Sequence, residues 1–204
     1  MSDELVAWLK EAKTRGLLGP EPLDRTIPHA RRLGEVALEA GAVTELCLDL
    51  GSGAGVPGLV LALDWPDSRW TLLDSNRRST AFLAEAVRGL GLGDRVSLVA
   101  QRAEEAAVVG PHRERYSLAV ARAVGPAAVV AEYLAPLLAP RGVAVVSEPP
   151  GAPDRWDPGG LSTLGLELHA QRTEPVAAAV LRRIGQVPAR FPRRTGVAAK
   201  RPLW

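Results

Sequence analysis

The sequence predicts an α/β fold with a mostly parallel sheet that is covered by helices on both faces. Short apolar segments alternate with segments of helical periodicity from residue 45 onward. A glycine-rich segment, DLGSGAGVPG at residues 49–58, overlaps the end of the first apolar segment. Repeated alternation of strands and helices implies right-handed crossovers, which place successive strands parallel in one sheet.

Seven apolar segments are predicted as strands, and turn residues separate most of them from their neighbours. The last two are close in sequence, so we expect them to form a hairpin. The predicted strands cover residues 45–50, 69–74, 95–100, 116–121, 142–147, 166–173 and 177–185.

The predicted helices follow from apolar residues at spacings of three and four. Asn76 is a good cap for one of them. Three prolines make residues 16–28 an irregular connector, and Pro and Gly make residues 148–160 a loop. Residues 186–204 show no periodicity. The predicted helices cover residues 2–15, 29–40, 56–63, 77–90, 103–109 and 126–138.

The chain of 204 residues is long enough for one domain with a full core. We expect a single domain over residues 1–204, with an N-terminal helical appendage at 1–44, a core at 45–185 and a basic tail at 186–204. Cys47 is the only cysteine, which excludes an internal disulfide framework. With no secretion signal and no apolar run of about 18 residues, a cytoplasmic protein without membrane contact is expected.

The glycine-rich segment has the spacing of a nucleotide-binding turn. Gly53, Gly55 and Gly58 satisfy G-x-G-x-x-G, and glycines at such a turn let a ligand approach the backbone. The following helix N-terminus offers free N–H groups. The spacing alone also fits a dinucleotide site, or a turn that only packs a helix on a strand.

Three acidic residues favour S-adenosylmethionine over a dinucleotide. Asp49 lies at the end of the first strand, where it would repel a pyrophosphate and could meet the ammonium group of the cofactor. Asp74 ends the second strand and can accept both ribose hydroxyls. Glu104 follows the third strand and could meet the adenine edge. His29, His112 and His169 are scattered, so no metal site is expected.

Positive charge is concentrated at the C-terminal end, although the formal net charge is only +2. No acidic residue follows Glu174. Such asymmetry indicates a polyanionic partner, and a solvated basic tail is the alternative. The basic residues there are Arg182, Arg183, Arg190, Arg193, Arg194, Lys200 and Arg201.

Several segments together resemble the RsmG family, also called glucose-inhibited division protein B. They are DLGSGAGVPGLVLA, LLDSNRRSTAFL, QRAEE, ARAVGP and PARFPRRTGVAAKRPL. The resemblance implies a Rossmann-like class I methyltransferase fold and S-adenosylmethionine as cofactor. It also implies methylation of guanine N7 in 16S ribosomal RNA, with the RNA or the 30S subunit as partner and the protein as a monomer.

The resemblance implies roles for individual residues. Arg122 matches an arginine beside the cofactor, and we expect it to position the base or the cofactor carboxylate as the catalytic residue. The positions that match cofactor contacts are Gly51, Val56, Asp74, Ala103 and Glu104, beside Asp49, Gly53 and Gly55 of the turn. The positions that match the RNA-binding tail are Arg193, Arg194, Lys200 and Arg201.

Two departures from the family pattern leave the substrate open. The Asn-Leu-Thr and Arg-His-x-x-Asp-Ser segments are not intact here, and we interpret HARRLGE at residues 29–35 as a remnant of this region. The family's Leu-Lys-Gly is replaced by Ser147-Glu148-Pro149. Two alternatives are therefore a methyltransferase that acts on a small molecule or protein, and a non-catalytic RNA-binding module.

Overall fold

The computed structural model describes residues 3–108, 110–149, 151 and 154–204. Its helices are α1 (Asp3–Thr14), α2 (Leu23–Glu39), α3 (Gly58–Asp64), α4 (Arg77–Gly89), α5 (Ala103–Val108), α6 (Ala127–Leu134), α7 (Pro158–Thr163) and α8 (Val197–Lys200). Its strands are β1 (Leu46–Leu50), β2 (Arg69–Leu73), β3 (Val96–Val99), β4 (Tyr116–Ala121), β5 (Leu138–Ser147), β6 (Leu166–Arg172) and β7 (Ala178–Arg183).

The seven strands form one sheet in the order β3-β2-β1-β4-β5-β7-β6. Strands β1 to β5 are parallel, and β7 pairs antiparallel with both β5 and β6. The predicted mostly parallel sheet and its final hairpin are therefore confirmed. Leu50 pairs with both Leu73 and Ala121, so the residues that follow β1, β2 and β4 emerge side by side.

Alternating side chains of the strands supply two separate cores, one on each face of the sheet. Cys47 and Trp70 pack with α1, α2, α3 and α4 on one face. Leu48 and Leu50 pack with α5, α6 and α7 on the other, where Phe191 of the C-terminal segment joins them. The two cores fix the sheet between helical layers, as expected for a parallel sheet. In the described part of the chain, no helix has the length and apolar character needed to cross a membrane.

Helix α2 begins at Leu23, so the prediction of an irregular connector was wrong for residues 23–28. Pro28 lies inside the helix and removes one backbone donor. Ile27 and Leu33 are fully buried on either side of it. Burial of each of these two side chains contributes about 1.5–3 kcal/mol. Together the two contributions offset the roughly 3 kcal/mol cost of an internal proline.

The second half of the sheet also differs from the prediction. Strand β5 begins at Leu138, within the helix predicted for residues 126–138, because a register shift against β4 lets the chain pair before and after a bulge. Arg141 adopts a φ of 65° in that bulge. Helix α7 begins inside the loop predicted for residues 148–160 and extends beyond it to Thr163, and Asp157 caps the helix by accepting from the Gly160 N–H.

Candidate active site

The turn between β1 and α3 follows a path that requires glycine. Gly51, Gly53 and Gly55 have φ values of 70°, 53° and 86°. A β-carbon on Gly51 would also lie 2.8 Å from Cγ2 of Val124. The N–H of Gly51 donates to the carbonyl of Leu73 at 2.8 Å, so the turn is held against the end of β2.

Asp49 lies beneath the turn and is almost fully buried. Its Oδ2 accepts from the N–H of Gly58 at 2.9 Å, where a β-carbon would lie only 2.5 Å from that oxygen. Burial raises the pKa of Asp49 to about 7, although its hydrogen bonds to Gly58 and Ser52 oppose the rise. Asp49 therefore shapes the start of α3, and its predicted contact with an ammonium group stays a prediction.

Asp74 joins the turn to the segment that follows β2. Its Oδ2 accepts from the N–H of Gly53, and its Oδ1 accepts from the N–H of Asn76, both at 2.7 Å. Asn76 in turn caps α4 by accepting from the N–H of Arg78 at 2.9 Å, which confirms the predicted cap. Asp74 is thus fixed by two backbone donors at the carboxyl edge of the sheet.

A cavity of about 410 Å³, called here the smaller cavity, opens at this edge. Four residues predicted to contact the cofactor line it: Gly51, Asp74, Ala103 and Glu104. The predicted residues outside its lining are Asp49, Gly53, Gly55, Val56 and Arg122. Of these, Gly53 donates its N–H to the lining residue Asp74. That these nine residues contact a cofactor stays a prediction.

Glu104 is buried at the base of α5 and has partners that the sequence did not indicate. Its Oε1 accepts from the N–H of Gly196 at 2.9 Å. Tyr133 of α6 lies near the same carboxylate, and burial together with that negative charge raises the pKa of Tyr133 to about 12. Tyr133 and Ala199 both line the smaller cavity. A residue pattern could not have found them, because these contacts join distant parts of the chain.

A second cavity of about 660 Å³, called here the larger cavity, adjoins the first. Residues 123–125 line both cavities and form the wall between them. The larger cavity is also bordered by α2, by the residues after β5, and by the β6–β7 connection. Its polar lining comprises Glu21, His29, Arg122, Ser147, Glu148, Arg155, Thr173 and Glu174.

Arg122 belongs to the larger cavity rather than to the smaller one. Its Nη2 donates to Oε2 of Glu21 at 2.9 Å, while Nη1 is buried without a hydrogen-bond partner. His29 lines the same cavity, and burial together with the charge of Arg122 lowers the pKa of its imidazole, which favours the neutral ring. The Nε2 of His29 lies 3.4 Å from Oγ of Ser147.

Glu148, which stands in the departure from the family pattern, does not present a free negative charge. Its two carboxylate oxygens accept from Nε and Nη2 of Arg155 at 2.7 and 2.9 Å. Oε1 also accepts from Nε1 of Trp156 at 3.1 Å. The buried carboxylate thus holds the segment around Arg155 against the end of β5, and its charge is compensated by that guanidinium.

The four basic residues predicted to bind RNA divide into two groups. Arg194, Lys200 and Arg201 are exposed. Arg193 instead forms an ion pair with Glu132, a fully buried residue of α6. Over the described ranges 3–108, 110–149, 151 and 154–204, no three His, Cys, Asp or Glu side chains gather as a possible metal site.

The sheet order, the glycine turn and the cavity at the carboxyl ends of the strands define the class: a Rossmann-like methyltransferase fold. A methyltransferase from Geobacter sulfurreducens superposes with a TM-score of 0.64 and 18% identity over 90% of each chain. An O-methyltransferase family protein from Burkholderia thailandensis superposes with a TM-score of 0.62 and 15% identity over 78% of this chain and 56% of its own. These likenesses show the fold.

The sequence comparisons give the particular family. The family model of GidB, rRNA small subunit methyltransferase G, matches residues 24–148, and the chain belongs to this methyltransferase family. Relatives named ribosomal RNA small subunit methyltransferase G include one from Prochlorococcus marinus, 41% identical over 77% of this chain and 67% of its own. Another, from Trichormus variabilis, is 38% identical over 76% of this chain and 67% of its own length.

Proposed function

We propose that this chain transfers the methyl group of S-adenosylmethionine to N7 of a guanine in 16S ribosomal RNA. The observation that carries the proposal is the pair of cavities that share residues 123–125. Methyl transfer requires donor and acceptor to be held in contact and in line. The smaller cavity would hold the donor and the larger one the acceptor base. The names of the family's relatives support RNA as the acceptor.

The smaller cavity suits S-adenosylmethionine in size and in the groups that it offers. Its volume of about 410 Å³ is typical of small-ligand sites. A carboxylate has about four lone-pair positions, and backbone donors use two of those on Asp74. The others can accept from the two ribose hydroxyls. Ala103 and Glu104 lie where the adenine ring would follow.

The main task of the protein in this reaction is to position the two reactants. S-adenosylmethionine supplies an electrophilic methyl group on its sulfonium, and guanine N7 carries a free lone pair, so no general base is required. Guanine presents O6 and N7 as acceptors on the same edge. A single donor from Arg122 to O6 would leave N7 free to face the wall at residues 123–125. We therefore assign Arg122 as the residue that orients the base.

The exposed cations of the C-terminal segment would contact RNA phosphates. Arg194, Lys200 and Arg201 lie on a short segment whose Ala199 lines the smaller cavity, so phosphates held there would lie near the site of transfer. Such contacts release counterions and make binding depend steeply on salt. Replacing one of these residues should reduce the slope of log affinity against log salt by about one contact.

Methyl transfer from labelled S-adenosylmethionine to 30S particles and to protein-free 16S RNA tests the proposal. We expect label that resists protease, is released by ribonuclease, and maps to N7 of a single guanine. Binding of the cofactor by calorimetry is measured in parallel. Absence of RNA labelling in a preparation that binds the cofactor would contradict the proposed substrate.

A small-molecule or protein acceptor is the second candidate, and one observation favours it. Three carboxylate residues, Glu21, Glu148 and Glu174, line the larger cavity, and their negative charge would repel a polyanion. Glu21 and Glu148 are each paired with an arginine, which reduces that effect. Label in a protease-sensitive or low-mass fraction of a cell extract, without label in RNA, would favour this candidate.

A further inference from the structure

Residues 193–204, called here the C-terminal strap, meet the smaller cavity at two points. The N–H of Gly196 donates to Glu104, one of the residues that line this cavity. Ala199, in the short helix that follows, lines the cavity itself. The strap therefore supplies both a backbone contact and a side chain to a site otherwise lined by the ends of strands and by α5 and α6.

One ion pair fixes the beginning of the strap. The carboxylate of Glu132 accepts from Nε of Arg193 at 2.9 Å and 3.0 Å, from its Nη2, and from its backbone N–H at 3.1 Å. Glu132 is fully buried and neighbours Tyr133, which lines the smaller cavity. The Glu132 carboxylate also raises the pKa of the Arg193 guanidinium above its ordinary value. The geometry is that of a two-point, charge-assisted clasp.

The far end of the strap is anchored independently. Nε1 of Trp204 donates to the carbonyl of Arg155 at 2.9 Å. The indole covers Gly160, where a β-carbon would lie 2.0 Å from Cε3 of Trp204. The strap is therefore fixed at both ends, and Gly196 and Ala199, which meet the cavity, lie between the two anchors.

We propose that the strap is a wall of the cofactor site and that Arg193 and Glu132 are the pair that positions it. Arg193 therefore acts on cofactor binding, whereas Arg194, Lys200 and Arg201 of the same strap are free to contact RNA. The inference rests on the proposed function, since it takes the smaller cavity as the S-adenosylmethionine site. It separates Arg193 by role from the other three residues that were predicted to bind RNA.

The test compares S-adenosylmethionine affinity, measured by calorimetry, across matched variants. Removing Arg193 alone would leave a buried carboxylate unpaired and could unfold the chain. The double variant Glu132→Gln with Arg193→Gln removes both charges, and we expect its Kd to rise about tenfold or more. Arg193→Lys keeps the charge without the two-point geometry and should restore part of the affinity. Arg190→Gln, an exposed neighbour, should bind as the wild type does.

Two further measurements keep the inference testable if the double variant does not fold. Ala199→Leu leaves the ion pair intact, adds bulk to the cavity, and should also weaken S-adenosylmethionine binding about tenfold. The salt dependence of binding to a 16S RNA transcript should fall in Arg194→Gln and stay unchanged in Ala199→Leu. A variant that only disordered the strap would change the affinity for S-adenosylmethionine and the salt dependence of RNA binding together.

The outcomes distinguish this inference from the proposal on which it rests. A wild-type chain that binds no S-adenosylmethionine would contradict the proposed function and this inference together. A wild-type chain that binds the cofactor, with both the double variant and Ala199→Leu within twofold of its Kd, would overturn the inference alone.

Discussion

The two cavities are built in different ways, although they share a wall. The smaller cavity lies where β1 and β2 end, and its central acid, Asp74, is bonded to backbone donors only 21 and two residues away. The larger cavity joins groups from remote parts of the chain. Its Arg122 pairs with Glu21 across 101 residues, and its Ser147 meets His29 across 118.

The difference separates the cofactor half of the site from the acceptor half. The part of the cofactor site that follows from the local motif, the glycine turn and Asp74, can be shared by many relatives with different substrates, whereas the bond from Gly196 to Glu104 spans 92 residues. The acceptor site depends on α2 and on the segments after β5 and β6, and the departures from the family pattern lie there. Variants that affect one cavity and leave the other intact test whether this division is real.

The largest effect is expected from Asp74→Ala. It removes the acceptor for the ribose hydroxyls and for the N–H groups of Gly53 and Asn76. We expect the Kd for S-adenosylmethionine to rise about 100-fold, as for the loss of charge-assisted hydrogen bonds. Calorimetry provides the measurement, with exposed Asp67→Ala as the control. A Kd within threefold of the wild type would show that the smaller cavity is not the cofactor site.

A smaller effect, confined to transfer, is expected from Arg122→Gln. The residue lines the larger cavity, so the rate of methyl transfer should fall about 10- to 30-fold through loss of orientation. The Kd for S-adenosylmethionine should stay within threefold. Single-turnover transfer and calorimetry are compared with Arg88→Gln, an exposed position on α4. An increase in that Kd of tenfold or more would place Arg122 at the cofactor and contradict the division.

The smallest effect concerns the pH dependence of stability through Asp49. Its pKa of about 7 in the folded chain exceeds the ordinary value of 3.8, so the folded state binds the extra proton between these values. The contribution of Asp49 to the free energy of unfolding is therefore greatest below about pH 4 and falls as pH rises through 7. Asp49→Asn lacks this loss while retaining an acceptor for Gly58.

Denaturant unfolding of the wild type and of Asp49→Asn at pH 5 and pH 8 measures this contribution of Asp49 to stability. From pH 5 to pH 8, the free energy of unfolding of the variant should rise by on the order of 1–2 kcal/mol relative to that of the wild type. A difference between the two chains that does not change with pH would mean that Asp49 is ionised in the folded state. It would then be available as a fixed anion for an ammonium group.

Local patterns predicted the parts of the molecule that local interactions decide. The first four strands, the cap at Asn76 and the glycine turn all follow from neighbouring residues, and four of the nine predicted cofactor residues line one cavity. The start of α2 was missed because burial of Ile27 offsets the presence of Pro28, and burial depends on the rest of the fold.

The C-terminal strap was predictable only in part. Its charge pattern was visible, but its order comes from contacts with Glu132 and Glu104, which are 61 and 92 residues away. No periodicity records such contacts. The compensation of Glu148 by Arg155 is similar, because the sequence showed an acid in place of a lysine and could not show its partner.

A structure of the chain with S-adenosylhomocysteine bound would test the central claim most directly. We expect the ribose against Asp74, the adenine near Ala103 and Glu104, and the sulfur at the wall formed by residues 123–125, facing the larger cavity. A ligand seated in the larger cavity, or one that makes no contact with Asp74, would contradict the assignment of the two cavities.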